Sequence, residues 1–352
     1  MNKEYFTSHY SAFLNCRVKS VYELLLFSDI LADPRLLSLL SQNSNAYCST
    51  INFKGIEIPV FSSLHPCAEK NILDRLNIPY VNRIINSIDD VKKLVCEDIP
   101  VLISYDADSL SRGVKSHNFG LISATVLWKY DKPFFTSTRK TEDGFEEYKE
   151  DAVALAMTVE TQPVAANREI IYLSSDIPFP KELSMDLLLE KISENLLSVR
   201  ENARQKASRK IPKFQCVEGA SAFEDMRASI RKLNQTINLQ HSEDIAHRMF
   251  ILANTIILKI IEKNGFGFDS FQHCFWDGYE EYLRLTGQTL PNDLGELAQK
   301  IGGRWKEMNE LLVHLKSYSA NAETINEFFE HFDQMFADIE NMEHTLFSEI
   351  VV

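Results

Sequence analysis

Apolar residues change their period once along this chain, and that change limits what it can fold into. Up to about residue 184, short strand-like runs alternate with short helical segments. From Leu188 onward the apolar positions recur at three and four; Leu188, Ile192, Leu196 and Val199 fall on one helical face. The stretch from Arg200 to Lys213 then holds six basic residues and one acid. It reads as a solvated helix end and linker, or as a docking site for an acidic partner. A domain boundary falls there. Residues 1–205 read as an α+β domain and residues 206–352 as an all-helical domain.

Local signals place the elements of the first part. An apolar run from Val18 to Leu31, stopped at Asp33-Pro34, predicts a helix starting at or near Cys16. Ile51 to Phe61 alternates around Lys54-Gly55 and predicts a hairpin. Ile78 to Ile85 predicts a strand. Ser87 to Asp90 has the form of a capping box, with Asp in place of Glu, and opens a helix to Cys96. Pro100 to Tyr105 is short and strongly apolar, as a buried central strand would be. Phe119 to Trp128 reads the same way. In the second part helices are expected near 220–236, 243–263, 271–285, 292–316 and 322–348. The last has eight acids and no Lys or Arg from Asn321 on. Its residues Ile325, Phe328, Phe329, Phe332, Met335, Phe336 and Ile339 have the spacing of a core or of a homodimer interface.

Composition narrows the function. The chain of 352 residues has 50 Asp and Glu against 37 Lys and Arg, a net charge of −13. Such a chain lacks the general electrostatics that hold nucleic acid or an anionic membrane surface. The longest apolar stretch, Met249 to Ile261, is interrupted by Asn254 and Lys259 and is too short to span a bilayer. The first residues lack the apolar core of a signal peptide. Six Cys are scattered without a CxxC, as thiols of a reducing compartment are. A cytoplasmic location follows as an expectation. The nine His form no metal-ligand spacing, and there is no GxGxxG or GxxxxGK. Neither metal nor nucleotide cofactor is expected.

One constellation with chemistry remains. Cys16 stands where a helix starts, after the cap residue Asn15, with Arg17 and Lys19 close by. A helix N-terminus and neighbouring cations both favour a thiolate nucleophile. His117 heads a predicted strand, flanked by Ser116 and Asn118. A Cys on a leading helix and a His at the start of a later strand is the papain arrangement. The same two residues also fit a small buried Cys and a surface or capping His. Asp106 ends the predicted central strand, as a loop or cap carboxylate or as a binder of a substrate ammonium group.

The order of several segments resembles the family of the butirosin-biosynthesis acyltransferase. These are Cys16-Arg-Val-Lys-Ser-Val-Tyr-Glu-Leu-Leu, Leu76-Asn-Ile-Pro79, and Ile99-Pro-Val-Leu-Ile-Ser-Tyr-Asp106. His117 and its apolar strand follow, then Glu218-Gly-Ala-Ser-Ala-Phe-Glu-Asp-Met226. The segment Ile261-Glu-Lys-Asn-Gly-Phe-Gly-Phe-Asp-Ser-Phe271, then Tyr279 to Leu283 and Trp305, completes the set. The resemblance covers nearly the whole chain. It implies a papain-like cysteine-protease-type N-terminal domain joined to a helical C-terminal domain. It differs in two places. Ser123-Ala124 stands where Gly-Tyr is common. The strand after the His strand, Pro133 to Thr138, has no Asp, so Thr136, Ser137 or a nearby carboxylate such as Asp131 would orient the imidazole.

The resemblance further implies a cysteine-dependent acyltransferase. Cys16 would take an acyl group from the phosphopantetheine thioester of an acyl carrier protein. The Cys16 amide and Asn15 would hold the oxyanion. His117 would deprotonate a small-molecule amine acceptor, which leaves as an amide of natural-product biosynthesis. A cysteine amidase or peptidase on the same fold, and a degenerate binding protein, are the alternatives.

Overall fold

The computed structural model describes residues 16–41, 46–53, 56–62, 65, 67–106, 122–141, 144–160, 169–173, 183–212, 216–239, 248–251, 271–315 and 322–352. Helices and antiparallel sheets are both present. The chain divides into two compact units: residues 1–41 with 67–192, and residues 42–66 with 193–352.

The first unit opens with helix α1 (Cys16–Phe27) and helix α2 (Pro34–Leu40). Every residue from Val18 to Leu26 is buried. A helix covered on all sides needs no polar face, which explains the nearly continuous apolar run. Asp33 caps α2: its carboxylate accepts the Arg35 amide at 2.9 Å, with Pro34 pre-set at the first helical position. Helix α3 (Ala68–Arg75), strand β3 (Tyr80–Ile84), helix α4 (Ile88–Cys96) and strand β4 (Val101–Asp106) follow. The capping box at Ser87 is formed: the Ser87 hydroxyl accepts the Asp89 amide, and the Asp90 carboxylate accepts the Asn86 and Ser87 amides.

Strand β4 is central as expected. It lies between β9 (Glu169–Leu173) and β5 (Ile122–Leu127) in the antiparallel order β3-β9-β4-β5. Val101, Leu102 and Ile103 are all buried, so both faces of the strand are covered. A second sheet, the meander β6 (Lys129–Asp131), β7 (Phe134–Thr141) and β8 (Gly144–Asp151), follows β5. The Trp128 amide donates to the Thr136 carbonyl at 3.2 Å and joins the end of β5 to β7. Helix α5 (Ala152–Glu160) and α4 pack with these strands around Val91, Ile103, Leu127, Phe135, Leu155 and Ile170. Helix α1 packs on β4, β5, α2 and α3.

The second unit is not all-helical, contrary to the reading of residues 206–352. Strands β10 (Ser208–Ile211) and β11 (Cys216–Gly219) open that segment. They pair with the predicted hairpin, β1 (Tyr47–Phe53) and β2 (Ile56–Ser62), in the order β10-β11-β1-β2. Four-residue strands are too short to show a period of two. The edge strand β10 carries Arg209 and Lys210, which suits an exposed edge but reads as linker. The hairpin joins this unit through strand pairs distant in sequence, such as Tyr47 with Glu218.

Gly219 is required where β11 meets helix α7 (Ala220–Asn238). Its φ is +84° and ψ −151°, a region only Gly occupies freely, and a Cβ there would lie 2.0 Å from the Ala207 carbonyl oxygen. Helix α7 covers β1, β2 and β11. Helices α6 (Met185–Arg204), α8 (Phe271–Thr286), α9 (Asn292–Leu315) and α10 (Ala322–Glu349) are also present. The division between the units falls within α6. Phe61, Phe223, Trp305 and Phe336 form an aromatic core, with Phe61 at 4.9 Å from both Phe223 and Phe336. The apolar positions of α10 from Ile325 to Ile339 are buried. The expected helix near 243–263 lies largely outside the described residues. No described helix is long and apolar enough to cross a membrane.

Candidate active site

Cys16 is the first residue of α1 and is half-buried. One turn on, the Ser20 hydroxyl donates to the Cys16 carbonyl at 2.8 Å. This bond fixes the backbone that carries the thiol.

Both cations near Cys16 are committed, in different ways. Arg17 forms a two-pronged pair with Glu69 in the first turn of α3: Nε to Oε1 at 2.5 Å and Nη2 to Oε2 at 2.5 Å. Glu69 is 3% exposed. Burial pulls the Arg17 guanidinium down, but Glu69 and then the Cys16 and Cys67 sulfurs outweigh it and hold the net shift upward. Lys19 turns away to β7. Its Nζ donates to Thr138 Oγ1 at 2.9 Å and to the Thr138 carbonyl at 3.3 Å, and lies 2.7 Å from Glu23 Oε1. Glu23 has no exposed surface; burial raises its carboxyl above the usual range and Lys19 opposes that shift.

The residues expected to orient an imidazole lie on the meander. Thr136 is buried, and its Oγ1 accepts from Lys149 Nζ at 2.9 Å. Asp131 is exposed on β6, 2.8 Å from Lys129 Nζ and 3.6 Å from Lys149 Nζ. Those cations, Lys129 first, hold its carboxyl below the usual range. Lys149 therefore ties Thr136 and Asp131 into one cluster. On β8 a further carboxylate is buried: Glu150, whose Oε1 accepts from the Ser137 hydroxyl at 3.3 Å.

Asp106 is the last residue of β4, in register with Ile122 at the start of β5. Asn15 and His117 themselves lie outside the described residues. Among the described residues no group of His, Cys, Asp and Glu is arranged to hold a metal ion.

Sequence reasoning missed Glu69, Glu23 and Glu150. Glu23 had a signal, because it follows Lys19 by four positions within an otherwise apolar run. Glu69 and Glu150 pair through the fold, and nothing local marks them.

In the second unit, the basic run is partly structural. Arg200 Nη1 donates to the Ile350 carbonyl at 3.3 Å and Arg204 Nε to the Ser348 carbonyl at 2.8 Å, so both hold the end of α10. Lys206, Arg209 and Lys210 are exposed.

No protein-family model matches the chain, and no curated protein matches it. Among solved structures, one described as a C39-like peptidase from Bacillus anthracis overlaps 46% of this chain and 88% of its own, at 15% identity and a TM-score of 0.30. That overlap is too slight to assign a fold or an activity.

Proposed function

We propose that the protein is a cysteine-dependent acyl-transfer enzyme whose first unit is papain-like, with Cys16 as nucleophile and His117 as base. One observation carries the reading: Cys16 is the half-buried first residue of a helix that is buried from Val18 to Leu26, beside the Arg17–Glu69 pair. A helix start next to a fixed cation suits an anionic sulfur and, after attack, an oxyanion.

The donor is an acyl thioester on the phosphopantetheine arm of a carrier protein. The Cys16 sulfur adds to the thioester carbonyl, and the oxygen takes the negative charge against the Cys16 amide and Asn15. The carbon–sulfur bond to the carrier breaks, and the departing sulfur takes the proton held by His117. A small-molecule amine then adds to the acyl-enzyme. His117 takes the amine proton, the amide forms, and Cys16 leaves as thiolate. Asp106 meets the acceptor's ammonium group. The imidazole partner comes from the meander, from Thr136, Asp131 or Glu150. An acidic carrier would dock on Lys206, Arg209 and Lys210, exposed residues of the basic run.

Intact-mass spectrometry after incubation with short acyl thioesters tests this. An acyl adduct that maps to Cys16 and disappears in Cys16→Ser is expected. The adduct should then pass to added amines. Release to water alone would make the enzyme a cysteine amidase or peptidase. No adduct across a range of acyl chains would remove the reading.

A further inference from the structure

The cysteines whose surroundings are described fall into distinct classes. Cys48 and Cys216 sit on paired strands of the second unit and are 3% and 6% exposed. Burial pushes both thiols up to about 12. In the register of β1 and β11, Cys48 faces Val217 and Cys216 faces Ser49. Their side chains therefore leave opposite faces of the sheet and cannot be bridged without moving a strand. Cys96 is exposed at the end of α4.

Cys16 and Cys67 differ from all three. Both are half-buried, and both stand at a helix start: Cys16 as the first residue of α1, Cys67 as the N-cap of α3. Arg17 follows Cys16, Glu69 lies two positions after Cys67, and their two-pronged bond clamps the two opening turns side by side. The Arg17 guanidinium is attracted to both sulfurs as well as to Glu69. One half-buried cation thus serves two thiols on two neighbouring helix starts.

We propose that Cys16 and Cys67 form an oxidation-sensitive pair that closes to a disulfide on reaction with a hydroperoxide. The Cys16 thiolate attacks a peroxide oxygen and the O–O bond breaks. The departing oxygen leaves as water or alcohol with a proton, and the sulfur becomes a sulfenic acid. The Cys67 sulfur then attacks the Cys16 sulfur. The S–S bond forms, the S–O bond breaks, and the hydroxyl leaves as water with the Cys67 proton. The peroxide is reduced by the two electrons the thiols lose. Closure needs Cα atoms within about 7 Å, and the Arg17–Glu69 clamp is what holds the two turns together for it. Closing the pair blocks Cys16 reversibly, where further oxidation to a sulfinic acid would destroy it. The pairing is read from the thiols themselves and does not depend on acyl transfer.

The test uses the full chain carrying Cys96→Ser. It is treated with a small excess of hydrogen peroxide, quenched with a maleimide, and mapped without reduction; a reduced sample shows that both peptides are detectable. The expected result is the loss of two hydrogens and a Cys16 peptide linked to a Cys67 peptide, reversed by dithiothreitol. With Cys67→Ser or Cys67→Ala, dimedone should instead trap a Cys16 sulfenic acid in whichever variant folds. A Cys16 peptide that goes to sulfinic acid while Cys67 still takes maleimide would overturn the proposal, and so would a link from either cysteine to another. If an acyl adduct forms on the reduced protein, it should fail on the oxidised one and return with dithiothreitol. Absence of the adduct with the link present would sink the acyl-transfer reading alone.

Discussion

Arg17 and Glu69 join the first turns of α1 and α3 through two parallel hydrogen bonds of 2.5 Å. The Arg17 side chain is 19% exposed and that of Glu69 4%, so this pair is shielded from solvent rather than a surface contact. Removing one partner of such a pair leaves the other largely shielded from water and without its main counter-ion. Glu69→Ala should therefore cost about 3 kcal/mol, the low end for breaking a buried pair. Urea denaturation of the purified chain measures it. A loss under about 0.5 kcal/mol would show that Arg17 finds water or another acceptor, and the clamp would be incidental.

The Lys19–Glu23 pair makes a sharper prediction, because both partners lie inside an apolar helix. Lys19→Met strands a fully buried carboxyl, and a loss of roughly 3 kcal/mol or more near neutral pH is expected. The sign with pH follows from the raised Glu23 carboxyl. A folded-state value above the unfolded 4.5 means that the native chain binds more protons between those two values. Stability should rise as pH falls through that window, and more steeply in Lys19→Met than in the parent. The double variant Lys19→Met with Glu23→Leu removes both charges and should recover most of the loss. A double variant no more stable than Lys19→Met would mean that the Lys19 bonds to Thr138, not the ion pair, are what the fold needs.

Much of the first unit was readable where a signal is local and complete. Strand β4 announced itself because Val101, Leu102 and Ile103 are consecutive and apolar, which a strand covered on both faces demands. The Ser87–Asp90 box works over four residues and needs nothing distant. The hairpin was visible, but its partner was not. Tyr47 pairs with Glu218, about half the chain away in sequence, and that pairing moves the hairpin into the second unit. The same limit hides Glu69: a Glu in a short helix looks solvated until Arg17 arrives from elsewhere. Lys19 was misjudged for a geometric reason. It follows Cys16 by three positions, close enough to suggest a cation for the sulfur, yet its long side chain reaches Thr138 instead. At the candidate site Cys16 could be read at a helix start, whereas its pairing with His117 rests on residues outside the described set.

Asp333 supplies a titration in the second unit. Arg227 donates to both of its oxygens, at 2.9 and 3.2 Å, and Arg231 donates at 2.8 Å. These bonds, that of Arg227 first, hold the carboxyl below its ordinary 3.8. A depressed acid contributes stability that is present above the unfolded value and lost as pH falls through the folded one. The chain should therefore lose stability below about pH 4, and Asp333→Asn should flatten that part of the acid limb. Urea midpoints taken from pH 5 down to pH 2 read this directly. An unchanged slope in the variant would show that the exposed arginines are screened by solvent and contribute nothing measurable.

Every catalytic statement depends on Cys16, and a comparison with Cys48 separates chemistry from packing. Cys16→Ser keeps the size but replaces the thiol with a hydroxyl that ionises far less readily, so a site arranged for a sulfur anion cannot use it. Acyl-adduct formation should fall by orders of magnitude. Stability should change by less than about 1 kcal/mol, since Cys16 is only half-buried and its backbone is held through Ser20 and the rest of α1. Cys48→Ser should show the opposite pattern. It puts a hydroxyl at a position 3% exposed on a central strand, and about 1–3 kcal/mol is expected for a buried polar group with a poor partner. Its adduct formation should survive in the folded fraction. Melting temperature and adduct yield, measured on both variants, give four numbers that must fall in this crossed arrangement. A destabilised Cys16→Ser that still takes the acyl group would place the nucleophile elsewhere and end the assignment to Cys16.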